Sequence, residues 1–268
     1  MDAELELVDV DSRPIAYRRA GSGPPLVLLH GAWSDGREWR RQLEELSDEF
    51  TVIAWDAPGC GGSWDPPDEF PLAAYADVVA GFVDAIGVVR PHVLGLSFGG
   101  GLALEVYRRH PSLPRSLVLA SAYAGWAGSL PREEVAARVR RVLDEAARPP
   151  AEWAPGYLPG FFAGAVPQAA RDEVLEIMLD VRPTGIRPMV KAFAAADLRD
   201  ALATIAVPTL LLYGELDTRA PRAVAESLHA GIPGSELVML ADVGHVTNVE
   251  APDAFNAVVR RFLHSVGP

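Results

Sequence analysis

Three residues of this chain have the types and placement needed for nucleophilic chemistry. Ser97, Asp217 and His245 each follow closely on a short apolar, strand-like run. Ser97 sits in Val93-Leu94-Gly95-Leu96-Ser97-Phe98-Gly99-Gly100-Gly101, where such a run passes abruptly into a helix-period pattern. A corner that sharp strains its central residue, so the neighbours must carry almost no side chain. Gly95 and Gly99 meet that need, and the pattern is the G-x-S-x-G nucleophile elbow. A serine hydroxyl is a weak nucleophile until an imidazole takes its proton. His245 is the expected base, returning the proton to the leaving group, and Asp217 the carboxylate that orients it. The order Ser, Asp, His along the chain is the one that accompanies this elbow.

The alternatives are weaker. His92 begins the elbow strand at its wrong end, His110 and His264 end helices, and His229 lies on a late helix. His30 stands at a strand end inside a His-Gly segment, where shaping the loop is its expected role. Glu215 and Asp242 compete with Asp217. Glu215 is close enough to its strand to hold the loop, and Asp242 precedes the histidine by too little to face it. Negative charge developing in the transition state needs donors. The backbone N–H of Phe98 is one, at the start of a helix, and that of Ala32, in the loop after the first inner strand, is the other.

Stepping outward from these residues, 5–12 and 14–20 alternate as an edge hairpin, and 26–29 is a continuous apolar run of the central-strand kind. Trp39, Leu43 and Leu46 follow at helical spacing. Strands at 50–55, 93–96, 116–120, 208–213 and 236–240 alternate with helices at about 74–86, from 98 to Pro111, 221–229 and 252–264. That alternation predicts an α/β fold: a mostly parallel central sheet with helices on both faces. Between residues 122 and 202 it stops. Only helical segments appear there, at 132–146, 169–179 and 187–202, among proline, glycine and aromatic residues. An insertion of that length reads as a helical cap, 122–202, on a core made of 1–121 and 203–268. Cap aromatics Trp126, Trp153, Tyr157, Phe161 and Phe162, with Trp33 and Val246, are expected to line an apolar pocket between cap and sheet.

Composition narrows the partners. The chain has 268 residues and a net charge of −12, so phosphate backbones and anionic lipid surfaces are disfavoured. The single cysteine, Cys60, excludes an internal disulfide and a cysteine metal cage. The acidic start Met1-Asp2-Ala3-Glu4-Leu5-Glu6 lacks the layout of a signal peptide, and no apolar run reaches spanning length, so a cytoplasmic location is expected.

His30-Gly31-Ala32-Trp33, Asp56-Ala57-Pro58-Gly59-Cys60-Gly61-Gly62-Ser63, Gly95-Leu96-Ser97-Phe98-Gly99-Gly100, Gly214-Glu215-Leu216-Asp217 and Gly244-His245 together resemble the α/β-hydrolase superfamily. The resemblance covers nearly the whole chain outside the cap, in the branch of small esterases, lactonases and carbon–carbon bond hydrolases. It implies the α/β-hydrolase fold, the triad Ser97–Asp217–His245 and oxyanion donors at Ala32 and Phe98. Epoxide hydrolases and haloalkane dehalogenases of this fold use an aspartate nucleophile, against Ser97. Plant-type hydroxynitrile lyases rely on an active-site lysine, and the only lysine here, Lys191, falls in the cap. Ring-cleavage hydrolases usually carry tryptophan after the histidine, where this chain has Val246. The expected activity is hydrolysis of a small, largely apolar carboxylic ester or lactone through a Ser97 acyl-enzyme, with no cofactor and no metal. Carbon–carbon bond hydrolysis, a cofactor-free haloperoxidase or perhydrolase reaction, and a ligand-sensing role are the alternatives.

Overall fold

Side chains along a strand point alternately to opposite faces of a sheet, so consecutive buried residues mean that both faces are covered. The inner strands of this protein read that way. In a computed structural model describing residues 3–164 and 166–267, β3 (Pro25–Leu29), β4 (Thr51–Trp55), β5 (His92–Leu96), β6 (Ser116–Ala120) and β7 (Thr209–Gly214) are buried almost end to end. Met1 and Asp2 of the acidic start, Ala165 of the expected cap and Pro268 at the end of the expected core lie outside the described residues. With β1 (Leu5–Val10), β2 (Arg13–Ala20) and β8 (Glu236–Leu240), these strands form one sheet in the order β1-β2-β4-β3-β5-β6-β7-β8. The β1–β2 and β2–β4 pairs are antiparallel and every other pair is parallel.

The expected edge hairpin, the inner strands and the alternation with helices are therefore present. Helix α1 (Arg40–Glu45) follows a 3₁₀ turn and packs against β4, burying Leu43 beside Trp39 and Leu46. Helices α2 (Leu72–Ala85) and α3 (Phe98–Arg109) pack on each other.

Between β6 and β7 the described residues contain helices and no strand: α4 (Trp126–Ser129), α5 (Arg132–Glu145), α6 (Pro150–Trp153), α7 (Leu158–Phe161), α8 (Gln168–Leu179), α9 (Pro183–Ala195) and α10 (Arg199–Leu202). The helix expected at 187–202 is two elements. It starts earlier because Pro183 suits a first turn. It stops at Ala195 because Ala196 is extended, and the Asp197 carboxylate then accepts the Arg199 backbone N–H at 3.3 Å and opens a new turn. The short α10 packs on α3 and on α11 (Arg222–Gly231). After β8 come α12 (Thr247–Glu250), which the sequence reading did not anticipate, and α13 (Pro252–Val266), whose Phe255, Val259, Phe262 and Leu263 are buried.

Candidate active site

Parallel strands place their carboxyl ends on one edge, and the loops leaving β3, β4, β5, β7 and β8 meet there. Ser97 stands between β5 and α3 with φ 53° and ψ −108°, a left-handed conformation that costs a non-glycine residue free energy. Its N–H donates to the Ala120 carbonyl at 2.8 Å and its carbonyl accepts from Gly101 at 3.1 Å, which hold the corner on both sides. A Cβ at Gly95 would overlap the Gly99 carbonyl, and one at Gly99 would overlap the Leu29 carbonyl. Those two glycines let the strand and helix close on each other.

His245 arrives from the loop after β8. Its Nδ1 lies 2.8 Å from Asp217 Oδ2, and both side chains are buried. The other carboxylate oxygen, Oδ1, accepts the backbone N–H groups of Arg219 (2.8 Å) and Ala220 (2.9 Å). Burial alone would raise the Asp217 pKa. The His245 ring and the two amides outweigh it and hold the carboxyl below its ordinary range. An ionised carboxylate only accepts, so the His245 proton sits on Nδ1 and the neutral ring keeps Nε2 free to take a proton. Gly214 makes the approach of this loop feasible, because a side chain there would strike the Val243 and Gly244 carbonyls.

Ser97 and His245 line one narrow cavity of about 30 Å³. Ala32, Trp33, Phe161 and Val246 line it too, with Glu38, Ile177 and Met178, which the sequence reading did not single out. Trp126 and Tyr157 border a neighbouring cleft that shares Trp33 with this cavity. Trp153 packs edge-on to Tyr157 with ring centroids 5.7 Å apart, and Phe162 lies under Arg171 at 5.8 Å, so these two are buried within the helical segment between β6 and β7.

The loop bearing Ala32 is held from three directions. His30 Nδ1 is 2.7 Å from the Gly31 carbonyl, so Nδ1 donates, and Nε2 accepts the Ala57 N–H at 3.0 Å. Burial keeps His30 below the usual histidine pKa, consistent with a neutral ring serving as a strut. Asp56 accepts the Gly36 N–H and the Gly62 N–H, each at 2.8 Å, tying this loop to the one after β4. Glu38 accepts the Gly31 N–H at 2.9 Å. Ala32 N–H has no acceptor among the described residues, and Phe98 N–H, at the first position of α3, has none within its own helix. Glu215 is exposed and pairs with Arg222 at 3.2 Å, and Asp242 is exposed as well. Cys60 is half-buried, and burial raises its thiol pKa. Among the described residues no three His, Cys, Asp or Glu side chains converge as a metal site requires. No described helix is long and apolar enough to cross a membrane.

A mostly parallel sheet with a strained serine at a strand-to-helix corner, and a carboxylate-bound histidine beside it, defines a hydrolase-type protein of the α/β class. The chain belongs to the alpha/beta hydrolase family: residues 26–258 match that family's profile. It is 30% identical to an uncharacterised protein of Mycobacterium tuberculosis, over 94% of this chain and 79% of the relative. Its structure is similar to that of a thermophilic esterase from Thermogutta terrifontis, with a TM-score of 0.90, 27% identity and coverage of 99% of this chain and 100% of that one. It is also similar to the enol-lactonase from Burkholderia xenovorans LB400, with a TM-score of 0.84, 26% identity and coverage of 97% and 100%.

Proposed function

We propose that the protein hydrolyses a small carboxylic ester or lactone through a Ser97 acyl-enzyme. The observation that carries this reading is the 2.8 Å contact between His245 Nδ1 and Asp217, with His245 and Ser97 on the wall of one cavity. His245 Nε2 takes the hydroxyl proton as Ser97 Oγ attacks the carbonyl carbon. The resulting oxyanion sits on the N–H groups of Ala32 and Phe98. His245 then protonates the departing alkoxide as the C–O bond breaks. Water attacks the acyl-enzyme with His245 again as base, and Ser97 leaves with its proton restored. Asp217 holds the imidazole tautomer and stabilises the transient imidazolium.

Trp33, Leu96, Phe161, Ile177, Met178 and Val246 make the cavity walls largely apolar, which suits an apolar acyl or ring portion. The esterase and lactonase activities named for the two similar structures support the same choice. The test is a panel of esters, lactones and diketones given to wild type and Ser97→Ala, with an activated phosphonate as a covalent label. Turnover of esters or lactones, lost in Ser97→Ala together with labelling, is the expected result. Labelling that survives the substitution, or diketone cleavage as the main activity, overturns the proposal.

A further inference from the structure

Trp33 separates the Ser97 cavity from a second cleft of about 150 Å³. Three guanidinium groups, those of Arg138, Arg141 and Arg219, face this cleft among Trp33, Trp126 and Tyr157. Two of the three are satisfied. Arg138 pairs with Glu134 at 2.6 Å, and Arg141 with Glu145 at 2.9 Å. The Arg219 guanidinium lies over the rings of Phe161 (4.9 Å), Tyr157 (5.3 Å) and Trp33 (5.4 Å), and has no hydrogen-bond acceptor among the described residues.

Asp217 attracts the cation through space but does not hydrogen-bond it. Asp217 is two residues away, but its oxygens are taken by His245 and by the main-chain amides of Arg219 and Ala220. Ring faces attract the cation, yet they accept none of its five N–H donors in the plane where a carboxylate would. Burial pushes the Arg219 pKa below the ordinary arginine value, though the group stays charged in water. A protein of net charge −12 thus keeps, beside the Ser97 cavity, a half-buried guanidinium with no carboxylate hydrogen-bonded to it among the described residues. Its position links it to the chemistry. Trp33 and Phe161, on which it packs, both line the Ser97 cavity, and Phe161 stacks on the His245 imidazole with centroids 6.3 Å apart.

We propose that the substrate carries a carboxylate that pairs with Arg219 in this cleft while its ester or lactone carbonyl lies at Ser97. The preferred substrates are then half-esters of dicarboxylic acids, or lactones bearing an acid, with an apolar segment running past Trp33. This inference rests on the ester or lactone reading above. Planar, forked pairing favours a carboxylate at a single guanidinium. The cation also attracts such a substrate locally, against the repulsion of the acidic surface.

The experiment compares mono-(4-nitrophenyl) esters of adipic, pimelic and suberic acid with 4-nitrophenyl pentanoate, hexanoate and heptanoate, each pair differing only by the terminal carboxylate. The readout is the ratio of kcat/KM for the acidic ester to that of its neutral partner. Wild type is expected to favour the acidic ester for at least one chain length. Arg219→Gln should lower that ratio about 10- to 100-fold, mainly through KM, with Arg219→Lys recovering part of it. An unchanged ratio in Arg219→Gln at all three lengths overturns the inference. Ser97→Ala separates the two proposals: activity surviving there sinks the acyl-enzyme, whatever the ratio does. A wild-type measurement covers the case in which Arg219→Gln fails to fold. Adipate should inhibit hydrolysis of 4-nitrophenyl pentanoate competitively and the neutral adipamide should not, and equal inhibition by both also overturns the inference.

Discussion

The Phe161 carbonyl accepts the backbone N–H groups of His245 at 2.9 Å and Val246 at 3.2 Å, while its ring stacks on the His245 imidazole at an interplanar angle of 19°. The histidine therefore takes its position from α7, between β6 and β7, as well as from the sheet. On the sheet side, Ser121 Oγ donates to the His245 carbonyl at 2.9 Å, and the Leu216 N–H donates to the Val243 carbonyl at 2.9 Å. A histidine gripped from both sides is restrained before any substrate arrives, and in the proposed mechanism that lowers the entropy cost of proton transfer.

Glu250 completes that grip through the loop backbone, and in the proposed mechanism it is a positioning residue because it does not touch the reacting atoms. One of its oxygens accepts the Gly244 N–H at 2.7 Å, and the other accepts those of Ala163 and Gly164 at 2.9 and 3.0 Å. Glu250→Ala leaves three amides without this acceptor and should cost roughly 1–3 kcal/mol in the alignment of His245. The expected outcome is a drop in kcat on a simple ester with little change in KM, and Glu250→Gln should recover part of it. A variant with wild-type kcat would show that the loop holds its shape without the carboxylate.

Where the chain is constrained by its own neighbours, the sequence was readable. Gly95, Gly99 and Gly214 stand where any side chain would overlap a carbonyl, so the elbow and the crossing of the histidine loop are written as local pattern. The parallel sheet was readable for a similar reason, since residues such as Leu210–Leu212 are buried on both faces and form unbroken apolar runs. Placement inside the 122–202 segment was not. Trp126, Trp153, Tyr157, Phe161 and Phe162 are all buried, yet they divide among a cavity, a cleft and packed interior. Which wall an aromatic joins depends on how the helices pack, a long-range matter that composition does not encode. Helix α8 shows the same limit. Val174, Ile177 and Met178 mark an apolar face by their spacing, but nothing in that spacing says that the face looks onto Ser97. Glu38 was invisible because a lone glutamate beside a tryptophan carries no motif.

Glu38 makes a pH prediction. It is 9% exposed, and burial, aided by the charge of Asp35, raises its pKa to about 7. An unfolded glutamate titrates near 4.3, so the folded state binds this proton more tightly. The resulting stabilisation is fully present below about pH 4 and is lost as pH rises through 7, at most roughly 4 kcal/mol. Glu38→Gln keeps an acceptor for the Gly31 N–H and removes the titration. Urea unfolding at pH 5 and pH 8 should show the wild type losing more stability across that interval than the variant. Equal losses would mean that Glu38 titrates as an ordinary carboxylate.

Asp217 carries the sharpest prediction, because its two oxygens do different work. Oδ1 is committed to the N–H groups of Arg219 and Ala220, and Oδ2 to His245 Nδ1. In Asp217→Asn one position becomes an NH₂ donor. Turned toward the two amides, it would set donor against donor. The amide oxygen therefore takes the amides and the NH₂ faces Nδ1, which drives the imidazole proton onto Nε2. A ring protonated there cannot accept from Ser97. The expected loss in kcat is about 10⁴-fold with KM little changed. The carboxyl pKa of Asp217 is already depressed, so its share of stability is present above the ordinary aspartate range and is lost only as pH falls through the lowered value. Wild type and Asp217→Asn should accordingly differ in stability at pH 7 and converge in strong acid. A variant retaining kcat within a few-fold would move the orienting role away from Asp217, and the exposed Glu215 or Asp242 would have to reach the imidazole instead.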